Sequence, residues 1–238
     1  QTEGECPSID AAPSWTIGKP SLLTLTFACF FFDYDLDGRL DIFAANGHVA
    51  DDISRVQPRV TYAQAPHLFH NLGNRRFEAV TASSGAALQQ AMVARGAAYG
   101  DYDGDGDLDL LVTTNNGPAR LLRNDGGERS SRLRARFVGT RSNRDAIGTF
   151  ARVTTPSGTS PWLMVKTGSS YLSQSELPLT FGLGAADKVT RIEVKWPDGR
   201  SVTLAGLEPN TSVTIEEGKG IVSRTPLGAS RPRGPGSR

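Results

Sequence analysis

Asp33-Tyr34-Asp35-Leu36-Asp37-Gly38-Arg39-Leu40-Asp41 and, 68 residues further on, Asp101-Tyr102-Asp103-Gly104-Asp105-Gly106-Asp107-Leu108-Asp109 decide how this chain is read. Each stretch sets carboxylates at positions 1, 3, 5 and 9 around a glycine-containing turn. At an effective dielectric of about 20, two like charges ~4 Å apart repel by roughly 4 kcal/mol. A hard divalent cation with oxygen ligands offsets that repulsion, and Ca²⁺, which takes six to eight oxygens, suits the donor set. The expected ligands in the first loop are Asp33, Asp35, Asp37 and Asp41, with the backbone carbonyl of Arg39. In the second they are Asp101, Asp103, Asp105 and Asp109, with the carbonyl of Asp107. Two calcium ions per chain are expected. The helix–loop–helix calcium motif starts the same way but requires a bidentate Glu at position 12. Ala44 and Val112 stand there, which excludes it.

The flanks read as strands. LTLTFACFFF (Leu23 to Phe32) precedes the first loop and LDIFAAN (Leu40 to Asn46) follows it; LDLLVTTN (Leu108 to Asn115) follows the second. Short runs of Phe, Leu, Ile, Val and Thr that end at Asn46-Gly47 and Asn116-Gly117 are strand and turn signals. The repeating unit is therefore strand, loop, strand. PHLFHNLGN (Pro66 to Asn74) and PARLLRNDGG (Pro118 to Gly127) repeat an apolar run followed by an Asn-centred turn, and the spacing suits four-stranded blades.

These residues resemble the FG-GAP or VCBS repeat, the blade of integrin-α-type β-propellers, carried here by FFDYDLDGRLD and YGDYDGDGDLD. Downstream, NRDAIGTFARV (Asn143 to Val153), GSSYLSQSELPLTFGLG (Gly168 to Gly184) and VTRIEVKWPDGRSVTL (Val189 to Leu204) look like an ASPIC/UnbV domain. Repeats followed by such a domain are the order of the cartilage acidic protein 1 family. The resemblance implies an all-β chain: a partial β-propeller over residues 23–130, then a small β-sandwich over 131–217. Residues 1–22 are expected to be the remnant of a preceding blade, and 218–238 a disordered basic tail rich in Pro, Gly and Arg. Two blades leave an apolar face and strand edges uncovered. The chain is accordingly expected to be the C-terminal part of a longer protein, with completion by oligomerisation as the alternative.

Within the second half, Pro156-Ser157-Gly158 and Pro197-Asp198-Gly199 are hairpin turns in which Pro pre-sets φ and Gly accepts positive φ. Ile192, Val194 and Trp196 alternate with Glu193 and Lys195, as in a half-buried strand, so Trp196 is assigned to the core. Tyr171 is assigned a structural role, with a surface ligand platform as the other reading. Cys29, inside an apolar run, is expected to be a buried free thiol, with pairing to Cys6 left open.

The net charge of +1 conceals a division. Residues 1–130 carry 10 Lys and Arg against 17 Asp and Glu; residues 131–238 carry 16 against 8. Nine of the 17 acids lie in the two loops, so the acidity reads as a cation-binding signature. The basic half carries no nucleic-acid motif and is read as a solvated surface, so no nucleic-acid partner is expected. No run approaches 18 apolar residues, and no membrane-spanning helix is expected.

An enzymatic role finds no support in the residues. There is no G-x-S-x-G segment, and His67 and His70, three apart on a strand, face opposite ways and cannot share a metal. They are read as ordinary strand residues, and His48 as a loop residue. Asn210-Thr211-Ser212 fits a glycosylation sequon. Calcium loops of extracellular modules bind with Kd of about 10⁻⁴ to 10⁻³ M, which favours a secreted or cell-surface setting. The resemblance implies a binding or adhesion protein with a protein or glycan ligand; the alternative is a carbohydrate-binding module carried by the C-terminal domain, with the blades as spacer.

Overall fold

The computed structural model describes residues 11, 12, 14–127 and 130–228. The chain is all-β, with propeller-type blades followed by a β-sandwich. The first blade contains β1 (Thr26–Phe32), β2 (Asp41–Asn46), β3 (His67–Gly73) and β4 (Arg76–Ala79), paired antiparallel in that order. The second contains β5 (Ala94–Gly100), β6 (Asp109–Thr114) and β7 (Arg120–Leu122). The two acidic stretches are the β1–β2 and β5–β6 connections: Phe32 pairs with Asp41 and Gly100 with Asp109. Even the bulges correspond, between Thr26 and Ala28 in one blade and Ala94 and Ala97 in the other.

Alternation explains the packing. Ala28, Phe30 and Phe32 of β1 point inward and meet Ala94, Ala97, Leu110 and Val112 from the other blade. The Phe30 ring stands edge-on to Tyr99 at 5.1 Å, a favoured aromatic geometry. The intervening residues face out, and Cys29 is one of them. The expected buried thiol is therefore an exposed one, because the strand period places it opposite its two apolar neighbours. The question of a Cys6 partner lies outside the described residues. On the far side of the first blade, Trp15 and Ile17 cover Ile42, Phe69 and Phe77.

The sandwich follows. One sheet has the order β10 (Gly158–Thr159), β9 (Phe150–Thr155), β13 (Arg191–Lys195), β14 (Ser201–Leu204), with β11 (Leu163–Met164) also on β9. The other runs β12 (Leu179–Gly184), β8 (Ser131–Val138), β15 (Thr211–Glu216), β16 (Gly220–Pro226), with β8 and β15 parallel. Leu133, Phe181 and Ile215 of the second sheet pack against Val153, Ile192 and Val194 of the first, and Trp196 is buried among them as expected. Both Pro-x-Gly turns form: Gly158 pairs with Thr155, and Gly199, at φ 89°, donates to the Trp196 carbonyl.

Two expectations change. Gly220–Pro226 is not part of a disordered tail: it pairs along β15 from Thr211↔Pro226 to Glu216↔Gly220. Residues 229–238 lie outside the described residues. Asn46-Gly47 is not a hairpin turn, because Asn46 is buried and tied by its side chain to Thr26 and the Ala65 carbonyl. Tyr171 has the structural role assigned to it: its ring packs edge-on against Phe27 at 5.2 Å.

The sandwich also closes onto the blades. Ser170 Oγ accepts from the Cys29 amide, Ser175 Oγ accepts from the Tyr99 amide, and the Glu176 amide donates to the Tyr99 carbonyl. One segment thus occupies the free edges of both β1 and β5, the edges that otherwise invite aggregation. At β12, Gly182 lies on the first acidic loop, where a Cβ would approach Leu36 Cα to 2.6 Å and also meet Asp33 Oδ2. Gly182→Ala is expected to destabilise the chain by about 1–3 kcal/mol through forced displacement of this contact. Gly168→Ala, which adds a Cβ in open space, is expected to stay within about 0.5 kcal/mol. Thermal denaturation of the two variants side by side checks the contact.

Candidate metal centres

Each loop is folded by its own carboxylates. Asp33 Oδ1 accepts from the Asp37 amide at 3.0 Å and Oδ2 from the Gly38 amide at 2.9 Å. The matching Asp101 accepts from Gly104 at 2.7 Å and Gly106 at 3.1 Å. Gly38 and Gly106, at φ 90° and 96°, supply the left-handed turn this wrapping needs. Asp41 closes the first loop by accepting from the Tyr34 and Asn71 amides; Asp109 does the same from Tyr102 and Asn124. Asn71 and Asn124, from the repeated Asn-centred turns, are therefore equivalent, and each also caps the glycine two residues on.

The structure gathers Asp33, Asp35 and Asp37 so that one oxygen from each lies within 4.8 Å of the others, and gathers Asp101, Asp103 and Asp109 likewise. A third group joins Asp35 and Asp41 to His70. Arg39, expected to offer its carbonyl, turns its side chain onto Asp37 and the Asn71 carbonyl. Asp105 and Asp107 are outside the second gathered group, although both carboxylates are buried at 1 % exposure. His67 and His70 do face apart as expected: His67 Nε2 lies 3.3 Å from Thr24 Oγ1. Treating His70 as an ordinary strand residue is corrected, because the Ile42↔Phe69 register sets it beside the loop.

Residues 33–112 match the FG-GAP-like repeat, and residues 139–222 match ASPIC and UnbV. The chain joins FG-GAP-like repeats to an ASPIC/UnbV domain. It is similar to cartilage acidic protein 1 of Homo sapiens, at 27% identity over 211 residues, covering 86% of this chain and 29% of the relative. The Mus musculus protein of that name is 28% identical over 189 residues, 77% of this chain and 27% of the relative. That of Xenopus tropicalis is 33% identical over 129 residues, 51% and 19% respectively. The chain spans less than a third of the length of these curated relatives.

The FG-GAP-like loops and the ASPIC/UnbV domain meet through charge. Arg134 of β8 forks onto Glu176 at 2.8 and 2.7 Å and reaches Asp101 Oδ2 with Nε at 3.3 Å. Arg132 binds the Asp105 and Ser130 carbonyls. The basic half is thus not only a solvated surface: two of its arginines are buried against the second loop. Sequence alternation turns them away from the sandwich core that Leu133, Ala135 and Phe137 face, but it gives no sign that the blades cover them, since Arg136 on the same face is exposed.

These arginines leave several carboxylate oxygens without a hydrogen bond. Asp103 Oδ2, Asp105 Oδ2 and Asp107 Oδ1 are sealed from solvent and accept no hydrogen bond among the described residues. Buried, unpaired carboxylate oxygens of this kind fit a hard divalent cation. In the first loop burial drives the Asp33 carboxyl up to about 8, the Asp41 charge adding to it. Burial likewise raises Asp41 to about 7 against the bond from the Asn71 amide. In the second loop burial and the Asp105 and Asp109 charges raise Asp107 to about 8.

The sign follows directly. Unfolded aspartates titrate near ~3.9, so between there and pH 8 the cation-free fold holds protons that the unfolded chain has released. Stability of the chelated protein is therefore expected to fall as pH rises from 5 to 9, read as a falling Tm. Cation binding near pH 7 is expected to expel protons, which titration calorimetry in buffers of different ionisation enthalpy detects.

Proposed function

We propose that this chain is a calcium-stabilised, extracellular binding protein in which two loop-bound Ca²⁺ ions fix the blades against the C-terminal domain. The observation that carries the reading is the set of sealed oxygens on Asp103, Asp105 and Asp107 that accept no hydrogen bond among the described residues, beside the gathered Asp101, Asp103 and Asp109. Asp33, Asp35, Asp37 and Asp41 supply the first site by the same spacing. The part played by calcium is structural: it neutralises the acids at the base of each blade hairpin and so holds the surface on which the sandwich rests. The extracellular assignment draws on the weak affinity expected of such loops, which fill where calcium is abundant, and on relatives named for cartilage. Among the described residues, no helix is long and apolar enough to cross a membrane.

Binding rather than catalysis is the function proposed, because the loop acids serve the fold and its cations. The ligand is a protein or a glycan. For the glycan alternative carried by the sandwich alone, the obvious stacking ring is already engaged: Arg152 and Lys195 lie 4.6 and 4.3 Å from the centroid of Trp162.

Calorimetric titration of the chelator-stripped chain with Ca²⁺ is expected to reveal two sites, and saturating calcium to raise Tm by several degrees through linkage. Asp103→Asn is expected to weaken one site by about tenfold or more, worth roughly 1.4 kcal/mol. An unchanged melting curve on adding chelator to the calcium-loaded chain rejects the structural role.

A further inference from the structure

His70 Nδ1 stands 3.3 Å from Asp35 Oδ2 and 3.3 Å from Asp41 Oδ1, yet makes no hydrogen bond to either or to any other described residue. The atom is sealed from solvent. We propose that the first loop is a mixed nitrogen–oxygen centre, in which His70 joins Asp35 and Asp41 on a first-row transition-metal ion such as Zn²⁺ or Mn²⁺. The proposal rests on the reading of the loops as cation sites and departs from it only in the ion that the first loop prefers.

The geometry fits a shared ion. With metal–ligand bonds of about 2.1 Å, neighbouring donors on a tetrahedral or octahedral ion stand roughly 3.0–3.4 Å apart. Both separations from His70 Nδ1 fall in that interval. As an ion pair the arrangement is poorly used, because a proton on Nδ1 finds no aligned acceptor. The imidazole is also held in place. Strand pairing of β3 with β4 sets His70 opposite Glu78, and the Tyr34 ring meets it edge-on at 6.0 Å. Asp41, fully buried, is fixed by the Tyr34 and Asn71 amides. Asp35 belongs to both gathered groups of the loop.

Donor chemistry then separates the two loops. Ca²⁺ takes oxygen ligands throughout, whereas an imidazole nitrogen favours Zn²⁺ and its first-row neighbours. In the second blade the residue before the equivalent Asn124 is Arg123, whose Nη1 lies 3.8 Å from Asp103 Oδ2. A guanidinium cannot ligate, so that loop keeps oxygen donors only. Two loops with one carboxylate spacing thereby select different ions.

The test uses the whole 238-residue chain, stripped with chelator and loaded with one equivalent of Mn²⁺ or Zn²⁺. Pulsed electron paramagnetic resonance of the Mn²⁺ form is expected to detect one directly bound nitrogen, lost in His70→Gln. Calorimetry is expected to show Zn²⁺ binding weakened about tenfold or more in that variant, with calcium binding at the second loop unchanged. In the converse variant, Arg123→His, a second nitrogen-ligated Mn²⁺ is expected, which tests the idea independently of whether His70→Gln folds. A nitrogen signal that survives His70→Gln, or its absence from the unaltered chain, overturns the proposal. Calcium binding at both loops with neither Zn²⁺ nor Mn²⁺ bound overturns it and leaves the calcium reading standing; failure of every ion to bind overturns both.

Discussion

Buried carboxylates at the base of two β-hairpins are the constraint on which the rest of the structure depends. Nine acids within two nine-residue stretches cannot be left to repel, and each loop answers locally by aiming backbone amides at them. That answer is incomplete. Amides satisfy Asp33, Asp41, Asp101 and Asp109, while sealed oxygens on Asp103, Asp105 and Asp107 remain without a donor among the described residues. Desolvation raises the pKa values of the acids it reaches, Asp33 and Asp107 most plainly, so the loops are held ready for charge from elsewhere.

Part of that charge comes from the other half of the chain. The excess of acids before residue 130 and of bases after it is a complementary pair of surfaces at the second loop, where Arg132 and Arg134 are buried. An arginine confined this way is stabilising only with its hydrogen bonds made, and Arg134 makes them to Glu176 and Thr180 while pairing its charge with Asp101. The first loop meets the sandwich differently, by close contact of Leu36 and Asp33 with the bare backbone of Gly182 and a hydrogen bond from the Gly184 amide to the Leu36 carbonyl. One loop is joined by charge and the other by shape.

The same domain also changes what two blades mean. Sequence reasoning left their edges open, but residues 170–176 run across β1 and β5 and take up amides and a carbonyl that would otherwise be free. Trp15 and Ile17 cover the outer face of the first blade in the same spirit. The GSSYLSQSELP stretch, recognisable in the sequence as part of an ASPIC/UnbV domain, is therefore a bridge to the blades as much as an element of its own sandwich.

Local pattern determined a good deal here. Alternation and turn residues were enough to place the blade hairpins, the Pro-x-Gly turns and the Trp196 strand, because each depends on neighbours a few residues apart. The carboxylate spacing identified the loop acids for the same reason. Local pattern misled where a residue's meaning lay across the fold: Cys29 faces out, Gly220–Pro226 pairs as a strand, and His70 stands beside a loop 29 to 37 residues before it. Only the tertiary structure decided that His70 meets Asp35 and Asp41, and that Arg134 meets Asp101. Strand register and the docking of one sheet on another set those distances, and neither leaves a periodic trace in the chain.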